Sequence, residues 1–355
     1  MKYYRLDKIL SKNCTYNLII GERSNGKTYA VLEYCIRQYF KTGSQFAIIR
    51  RWGVDIQGRR ASGMFSAINE NGLIRELSDG QFDCVHYWAG KFYLGYHEDG
   101  KVIYNDNDII AFPFAISEQE HNKSISFPNV NNILFDEFIT NAIYLQDEFI
   151  AFMNTLSTII RQRDSVKIFM CGNTVNKYCP YFEEMGLKHV SKMNQGSIDV
   201  YTYSDSKLKV AVEYCATSSK TKKSNFYFAF DNPKLNMITR GSWELDIFPH
   251  LPKKYNPKNI LIKFFILFDG LIYQGELIDI DSNPFVYIHD KTTPIQDENK
   301  DIVITLESDY RKNYFRNIFS IPILGNKLEY LYKANKWTYQ NNDVGNSIQN
   351  YIKCM

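Results

Sequence analysis

The first group of residues suited to chemistry is a short loop near the start of the chain. Residues 21–28 have the sequence Gly-Glu-Arg-Ser-Asn-Gly-Lys-Thr, a complete GxxxxGK[ST] (Walker A) pattern. In such a loop the glycines let backbone N–H groups point at a β-phosphate, and the following helix adds the positive end of its dipole. The pattern predicts a nucleoside-triphosphate site formed by Gly21, Ser24, Asn25, Gly26, Lys27, which contacts the β- and γ-phosphates, and Thr28, which binds Mg²⁺.

The second group is a pair of carboxylates at the end of an apolar run. Residues 133–137 have the sequence Ile-Leu-Phe-Asp-Glu, which is typical of a Walker B strand. Asp136 is expected to hold hydrated Mg²⁺ opposite Thr28, and Glu137 to orient and polarise the attacking water as a general base. The alternative role for Glu137 is to cap the segment that follows it. To act together, both motifs must lie at the carboxyl edge of one parallel sheet.

Three further polar residues lie where predicted elements end. Asn173 follows an apolar strand, where its side chain can contact the γ-phosphate or the attacking water, or simply complete a Gly-Asn turn. Arg161 and Arg163 follow a helical apolar stripe. Either arginine can be a finger that enters a neighbouring subunit's site and stabilises charge on the transferring phosphoryl group. The ordinary alternative is an interaction with the dipole at the helix C-terminus.

The elements that position these residues alternate between strands and helices. Apolar runs predict strands, and apolar residues at helical spacing predict helices. Before residue 199 the predicted helices are 27–40 and 144–161, and the predicted strands are 16–20, 45–50, 82–88, 91–97, 102–105, 109–116, 132–135 and 166–171. This alternation indicates an α/β domain whose central sheet is mostly parallel.

The pattern changes near Asp199, and a polar stretch over residues 216–225 is suited to a linker. Strands dominate beyond it, with a hairpin turn at Asp269-Gly270, and are predicted at 226–230, 260–268, 271–280 and 285–289. Residues 308–319 and 324–336 are predicted to be helical. We therefore expect a P-loop domain over 1–198, a linker over 199–225 and a smaller, β-rich domain over 226–355.

Composition limits the class of protein. A chain of 355 residues with 45% apolar residues is long enough for two domains with their own cores. Its seven cysteines are scattered and lack CxxC pairs, which favours buried thiols in a reducing compartment. No signal peptide and no apolar stretch long enough to span a membrane is found, so we expect a cytoplasmic protein without a membrane partner.

The net charge of +3 is distributed unevenly. Residues 206–263 contain eleven Lys or Arg against four Asp or Glu. Such an excess is suited to contact with phosphate backbones, and it is equally typical of a solvated basic surface.

Taken in order, the motifs resemble the DNA-packaging ATPases of small short-tailed, phi-twenty-nine-like bacteriophages, which are distant relatives of terminase large subunits. The resemblance covers residues 16–182 and is carried by 16–28, 49–51, 127–130, 135–139, 161–163, Asn173 and 180–182. Beyond residue 199 it is faint.

The resemblance implies a P-loop ATPase domain of the ASCE type, followed by a C-terminal domain of RNase H-like fold without nuclease activity. It implies ATP and Mg²⁺ as ligands. It also implies a homomeric, pentameric ring that docks on the portal of an empty capsid in the host cytoplasm and drives double-stranded DNA inward. A packaging RNA is a further partner in part of the family.

The resemblance also assigns roles to individual positions. By this resemblance Arg23 is a phosphate-loop arginine, Asp136 the Walker B acid and Glu137 the catalytic glutamate. Arg161 matches the arginine finger, and Arg163 is the second candidate for it. Lys123 falls where a basic catalytic residue acts across the subunit boundary, a position that an ordinary solvated lysine fits as well.

Two sets of residues bear on nucleic acid. A translocase needs phosphate contacts rather than base readout, and the candidates are Arg51, Arg59, Arg60, Lys220, Lys222 and Lys223. Turn formation is favoured for Asp269, Asp279, Asp281 and Asp290, unless they converge on two metal ions as a nuclease. The alternatives to a translocase are therefore a terminase-like motor with an active nuclease and a nucleotide-gated switch with negligible turnover.

Overall fold

The computed structural model describes residues 4–122, 125–204, 206–216, 248–251 and 254–355. The chain divides into two units, Met1–Glu244 and Leu245–Met355. Several predicted features lie outside the described residues, namely Lys123, Lys220, Lys222, Lys223 and the strand at 226–230.

The first unit is built around a nine-stranded sheet. Its strands are β1 (Tyr16–Gly21), β2 (Gln45–Arg50), β3 (Cys84–Trp88), β4 (Lys91–Glu98), β5 (Lys101–Ala115), β6 (Val130–Asp136), β7 (Lys167–Asn173), β8 (Ile198–Thr202) and β9 (Lys209–Tyr214). The α-helices among its described residues are α1 (Asp7–Leu10), α2 (Lys27–Thr42), α3 (Gly58–Gly63), α4 (Ser66–Glu70), α5 (Leu73–Leu77), α6 (Glu148–Ile160) and α7 (Pro180–Glu184).

The strand order is β3-β4-β5-β2-β6-β7-β1-β9-β8. From β5 to β9 in this order all neighbours pair in parallel, and the antiparallel pairs lie towards the two edges. The predicted α/β fold with a mostly parallel sheet is thereby confirmed. Parallel strands are buried on both faces, which explains the uninterrupted apolar runs at residues 18–20 of β1 and 133–135 of β6.

Helices cover both faces of this sheet. On one face α2 buries Val31 and Cys35. On the other, α6 buries Phe152 and Leu156 against Phe135 of β6. Each side chain of this size contributes about 1.5–3 kcal/mol when fully buried. This packing fixes the two helices whose ends carry predicted functional residues.

The central sheet extends further along the chain than the sequence indicates. β9 pairs in parallel with β1, with Tyr16 opposite Val210 and Ile20 opposite Tyr214, and β8 pairs antiparallel with β9. Residues 199–202 and 209–214 belong to this sheet, which corrects the linker predicted over 199–225. The pairing of β9 depends on a strand near the start of the chain, so no local pattern reveals it.

The second unit contains a six-stranded sheet. Its strands are β10 (Ile260–Phe268), β11 (Leu271–Ile280), β12 (Asn283–Asp290), β13 (Ile302–Thr305), β14 (Tyr314–Phe315) and β15 (Trp337–Tyr339), and its described helices are α8 (Leu324–Lys333) and α9 (Asn342–Cys354). The order is β14-β13-β10-β11-β12-β15. Strands β10, β11 and β12 form an antiparallel meander, and β10 also pairs in parallel with β13. This is the arrangement of an RNase H-like fold.

The helix predicted over residues 308–319 is wrong. The structure has strand β14 and a 3-10 turn, Ile318–Ser320, in this segment. A carboxylate oxygen of Asp309 accepts a hydrogen bond from the backbone N of Arg311 at 2.9 Å, and the Arg311 guanidinium lies 3.6 Å from the ring centroid of Tyr314. Local bonds between side chain and backbone compete with helix formation.

The four candidate nuclease aspartates lie in two separate groups. Asp269 is in the turn before β11 and Asp290 is at the end of β12 beside it, whereas Asp279 and Asp281 lie at the opposite end of β11. At roughly 3.3 Å per residue, the ends of such a strand are about 30 Å apart. Asp269 and Asp281 each have φ of 53°, as expected for turn residues. The four carboxylates therefore do not converge on one metal site.

The seven cysteines are free thiols, and six of them are buried. Burial raises the pKa of the Cys171 thiol, so it stays protonated at neutral pH. Among the described residues, no helix is both long and apolar enough to cross a bilayer.

Candidate nucleotide-binding and catalytic site

The phosphate loop connects β1 to α2 at the carboxyl edge of the central sheet. Gly26 immediately precedes α2 and has φ of 91°, a conformation that is strained for any other residue. Gly21 ends β1, and a Cβ atom at this position would lie 2.9 Å from Cβ of Cys215. Both glycines of the pattern are thus required by the backbone geometry of the loop.

Lys27 points back into the loop and is only 5% exposed. Its ammonium donates hydrogen bonds to the carbonyl oxygen of Glu22 at 2.7 Å, Oδ1 of Asn25 at 3.2 Å and Oδ1 of Asn173 at 3.1 Å. Burial lowers the pKa of Lys27. A buried ammonium that is held by neutral oxygens can exchange them for phosphate oxygens, and Asn173 is brought to this point by β7.

Thr28 and Asp136 meet at the first turn of α2. The Thr28 hydroxyl donates a hydrogen bond to Oδ1 of Asp136 at 2.8 Å. A hydroxyl and a carboxylate oxygen side by side are ligand types that Mg²⁺ takes together with nucleotide phosphates. The pair therefore fits the metal position that the sequence predicts.

Arg50, the last residue of β2, contacts both Walker B carboxylates. Its Nη1 lies 2.7 Å from Oδ2 of Asp136, and its Nη2 lies 2.8 Å from Oε2 of Glu137. The side chain of Glu137 is 60% exposed, whereas that of Asp136 is 11% exposed. Arg50 therefore compensates the buried charge of Asp136 and sets the direction of the Glu137 carboxylate. No role is predicted for Arg50 from the sequence, although a charged residue at the end of a buried strand marks the position as unusual.

Arg51 is buried, which corrects its prediction as a DNA contact. It is 6% exposed, and its Nε donates a hydrogen bond to Glu148 at 2.8 Å. Burial by itself lowers the pKa of Arg51, but the hydrogen bond and charge of Glu148 outweigh burial and raise it. Arg59 and Arg60 are exposed, and Arg60 forms an ion pair with Asp55.

The two arginines that follow α6 have different environments. The guanidinium of Arg163 lies within hydrogen-bond distance of six oxygens of its own chain, and its five N–H groups are shared among the carbonyl oxygens of Phe127, Pro128, Val130, Ile159 and Ile160 and Oδ1 of Asn131. Arg161 donates one from Nη2 to the carbonyl oxygen of Ile125 at 2.9 Å, in an exposed position. Arg163 is thus engaged in holding its own domain together, and Arg161 is the more available at the surface.

One cavity of about 590 Å³ joins the phosphate loop, the Walker B residues and the end of β7. Its volume is in the range of small-molecule sites. The predicted residues that line it are Arg23, Ser24, Asn25, Gly26, Lys27, Thr28, Asp136, Glu137 and Asn173. Thr140, Asn141 and Ala142 add a wall that sequence analysis did not identify. Arg161 does not line this cavity in its own subunit.

Comparisons with known proteins indicate the family to which the chain belongs. Residues 1–240 match the family described as podovirus DNA encapsidation protein (Gp16). The sequence is 25% identical to the DNA packaging protein of Bacillus phage phi29 over 324 residues, which cover 88% of each chain. It is 24% identical to that of Bacillus phage B103 over 316 residues, which cover 86% of this chain and 89% of the relative.

Solved structures show the same fold. A chain of the phi29 viral genome packaging motor assembly matches with a TM-score of 0.55 and 22% identity, over 99% of both chains. The phi28 gp11 DNA packaging motor matches with a TM-score of 0.56 and 18% identity, over 99% of this chain and 97% of that chain. The matched family segment includes both nucleotide motifs and more than half of the sequence. The chain therefore belongs to the podovirus DNA encapsidation protein (Gp16) family.

Proposed function

We propose that this protein hydrolyses ATP to move double-stranded DNA into a viral capsid, as one subunit of a homomeric ring. The observation that carries the proposal is the position of Lys27, Thr28, Asp136 and Glu137 around one cavity. Family membership supports DNA as the molecule that the motor moves, because the phi29 and B103 relatives are DNA packaging proteins.

The loop and its lysine account for binding of the triphosphate. Backbone N–H groups and the N-terminus of α2 bind the β-phosphate, and Lys27 binds β- and γ-phosphate oxygens. Arg23, on the cavity wall, adds positive charge. Thr28 and Asp136 would hold Mg²⁺, and the bound ion would supply positive charge to the triphosphate.

Glu137 is the proposed general base. Its carboxylate takes a proton from the attacking water while the water oxygen bonds to the γ-phosphorus. The bond between that phosphorus and the β–γ bridging oxygen breaks, and ADP and phosphate are released. Asn173, within hydrogen-bond distance of Lys27, is suited to contact the γ-phosphate.

Arg50 contacts Oε2 of Glu137, so a change at this contact would alter how the carboxylate meets the attacking water. Because the Glu137 side chain is 60% exposed, its half of this contact is an ion pair near solvent, which typically contributes about 0–1 kcal/mol. Exchange of this contact is therefore easy. It is a suitable point for nucleotide or DNA to control turnover.

The ring and its partners follow from the family resemblance. Arg161, which is exposed, is proposed as the finger that acts in the neighbouring subunit's site. Arg163 is not, because its guanidinium is hydrogen-bonded within its own subunit. We propose a pentameric ring on the procapsid portal in the host cytoplasm, with a packaging RNA as a further candidate partner. Among the described residues, Arg59 and Arg60 remain as candidate contacts to DNA phosphates.

The test is ATP turnover with and without duplex DNA. We expect duplex DNA to stimulate steady-state turnover of the unmodified protein. Glu137→Gln is expected to lower kcat by roughly 10²–10⁴-fold, the usual contribution of a general base, while the affinity for a slowly hydrolysed ATP analogue is retained. Glu184→Gln, which changes an exposed carboxylate at the end of α7, is the matched control and is expected to leave turnover unchanged.

Three other results would point elsewhere. Turnover that is indifferent to DNA of any kind would argue against a translocase. Turnover near zero with DNA present, at a concentration where rings form, would favour a nucleotide-gated switch. Cleavage of plasmid DNA would favour a terminase-like motor with an active nuclease.

A further inference from the structure

The side chain of Arg51 holds the main chain of the proposed catalytic residue. Consecutive residues at the end of a strand point to opposite sides, so Arg50 meets the carboxylates while Arg51 points into the domain. Nη1 of Arg51 donates to the carbonyl oxygen of Glu137 at 3.3 Å, and Nη2 donates to that of Phe138 at 2.8 Å. The two peptide groups that follow Glu137 are thereby fixed, where the backbone leaves β6 with φ of 60°.

Glu148, the first residue of α6, completes the contact. Its Oε2 accepts hydrogen bonds from Nε of Arg51 and from the backbone N of Leu145, both at 2.8 Å. Its Oε1 accepts a hydrogen bond from the Tyr181 hydroxyl at 2.8 Å, and the Arg51 guanidinium lies 4.8 Å from the ring centroid of Tyr144. Glu148 is 2% exposed. A buried ion pair with this many satisfied donors and acceptors permits one arrangement of the elements it joins.

The pair joins two parts of the proposed machinery. One end is the backbone at Glu137, and the other is the N-terminus of α6. α6 is about 20 Å long at 1.5 Å per residue, and Phe152 and Leu156 pack it onto the sheet. Arg161 follows the helix directly, with φ of 50°. The pair thus connects the backbone at Glu137 to the helix that ends at Arg161.

We propose that Arg51 and Glu148 are positioning residues, which fix the backbone from which the Glu137 carboxylate projects and link it to the helix that carries Arg161. In a ring, Arg161 of one subunit enters the site of the neighbouring subunit. A change in the backbone at Glu137 of the first subunit then alters that neighbouring site through α6 and Arg161. This inference rests on the proposed function for the roles of Glu137 and Arg161. The contact itself is independent of those roles.

The first test separates positioning from stability. Removal of one partner leaves a buried unpaired charge, whereas two apolar side chains of similar volume are often nearly neutral. We therefore choose the double variant Arg51→Met/Glu148→Leu, with Arg51→Lys as a milder change that keeps the charge and loses the forked contacts. In both, the affinity for an ATP analogue is expected to stay within about twofold, because the phosphate loop is untouched. We expect kcat to fall at least about tenfold, because a misplacement of about 1 Å can reduce turnover by about 100-fold.

Asn17→Ala is the control for a general loss of stability. Asn17 is buried on β1, donates hydrogen bonds to the carbonyl oxygens of Cys14 and Ile168, and does not line the cavity. Its variant is expected to lower Tm and to keep the kcat of the unmodified protein while it is folded. The inference is overturned if kcat of the double variant stays within about twofold of the unmodified protein. If the double variant does not fold, an unchanged kcat in Arg51→Lys overturns it equally.

Mixed rings test the link to Arg161. Subunits with Arg161→Ala keep Glu137, and subunits with Glu137→Gln keep Arg161, so a mixture of the two is expected to recover turnover. With the double variant in place of Glu137→Gln, recovery is expected to be lost, since its Arg161 is displaced. Equal recovery with either partner overturns the link. No recovery even with Glu137→Gln contradicts the ring arrangement instead, and the kcat comparison then decides the role of the pair.

Discussion

The guanidinium of Arg50 lies 2.8 Å from the carboxylate of Glu137 and, through its other terminal nitrogen, 2.7 Å from that of Asp136. The side chain of Arg50 thus forms ion pairs with both acids that the proposed reaction uses. Thr28 contacts the remaining oxygen of Asp136, so the position suited to Mg²⁺ lies against a guanidinium. In the proposed reaction, Mg²⁺ and nucleotide would therefore compete with Arg50 for these carboxylates.

Arg50→Gln is therefore expected to favour Mg²⁺ and nucleotide. Without the competing cation, the Mg²⁺ concentration that half-saturates nucleotide binding falls by roughly three- to tenfold, and turnover in the absence of DNA rises. Titration of a fluorescent ATP analogue with Mg²⁺ measures the first effect. The control is Arg37→Gln, which removes a surface arginine paired with Glu33. An unchanged Mg²⁺ midpoint combined with lower turnover would show that Arg50 supports catalysis rather than restraining it.

Nucleotide affinity is expected to decline in the alkaline range because of Lys27. Burial lowers the pKa of Lys27, so its ammonium loses its proton at a lower pH than an ordinary lysine. The charge that binds phosphate is present below that lowered pKa and is lost as the pH rises through it. A bound triphosphate favours the charged form, so binding within this window takes up a proton.

Calorimetry of ATP binding in buffers of different ionisation enthalpy measures this proton uptake between about pH 7 and about pH 10. Lys27→Arg is the comparison, since a guanidinium stays charged over that range. Its affinity is expected to be weaker but nearly independent of pH. Identical pH profiles for the two proteins would contradict the assignment of the titration to Lys27.

Arg161→Ala and Arg163→Ala are expected to change different quantities. The first lowers the turnover of assembled rings, and the second lowers the free energy of unfolding. Arg161 is exposed, so its loss leaves the free energy of unfolding within about 0.5 kcal/mol while kcat of assembled rings falls by about 10³-fold or more. Arg163 binds several carbonyl oxygens of its own domain, so its loss lowers the free energy of unfolding by about 2–4 kcal/mol. Denaturant unfolding and steady-state turnover separate the two effects. The opposite pattern would make Arg163 the finger.

The full-length protein is expected not to cut DNA. Asp269 and Asp290 lie at one end of the β11–β12 hairpin and Asp279 and Asp281 at the other, so these carboxylates do not form a two-metal site. Incubation with supercoiled plasmid and Mn²⁺ is expected to leave the plasmid intact. Cleavage that disappears in Asp269→Asn/Asp290→Asn would contradict this expectation. Cleavage that persists in that variant and in Asp279→Asn/Asp281→Asn would come from a contaminant.

Much of the fold could be predicted because the information is local. The strands predicted at 45–50, 260–268 and 271–280 have the same bounds as β2, β10 and β11. Each is rich in apolar and aromatic residues and is bounded by turns or loops, which is the local pattern of a buried strand. The helix predicted over residues 308–319 is wrong because other contacts override the local pattern. Pairing of β14 with β13 and the contacts of Arg311 outweigh the helical spacing of the apolar residues.

The sequence by itself determined the fold class and the members of the phosphate loop, because a pattern of eight adjacent residues sets the backbone shape and the side chains together. Only the tertiary structure decided what the arginines do. Arg50 and Arg51 are neighbours in the sequence, yet one meets Glu137 and the other meets Glu148. Those partners lie 87 and 97 residues along the chain and reach the arginines only when β6 and α6 pack beside β2. The direction of a side chain follows from the strand, but the group that it meets follows from the packing of the whole domain.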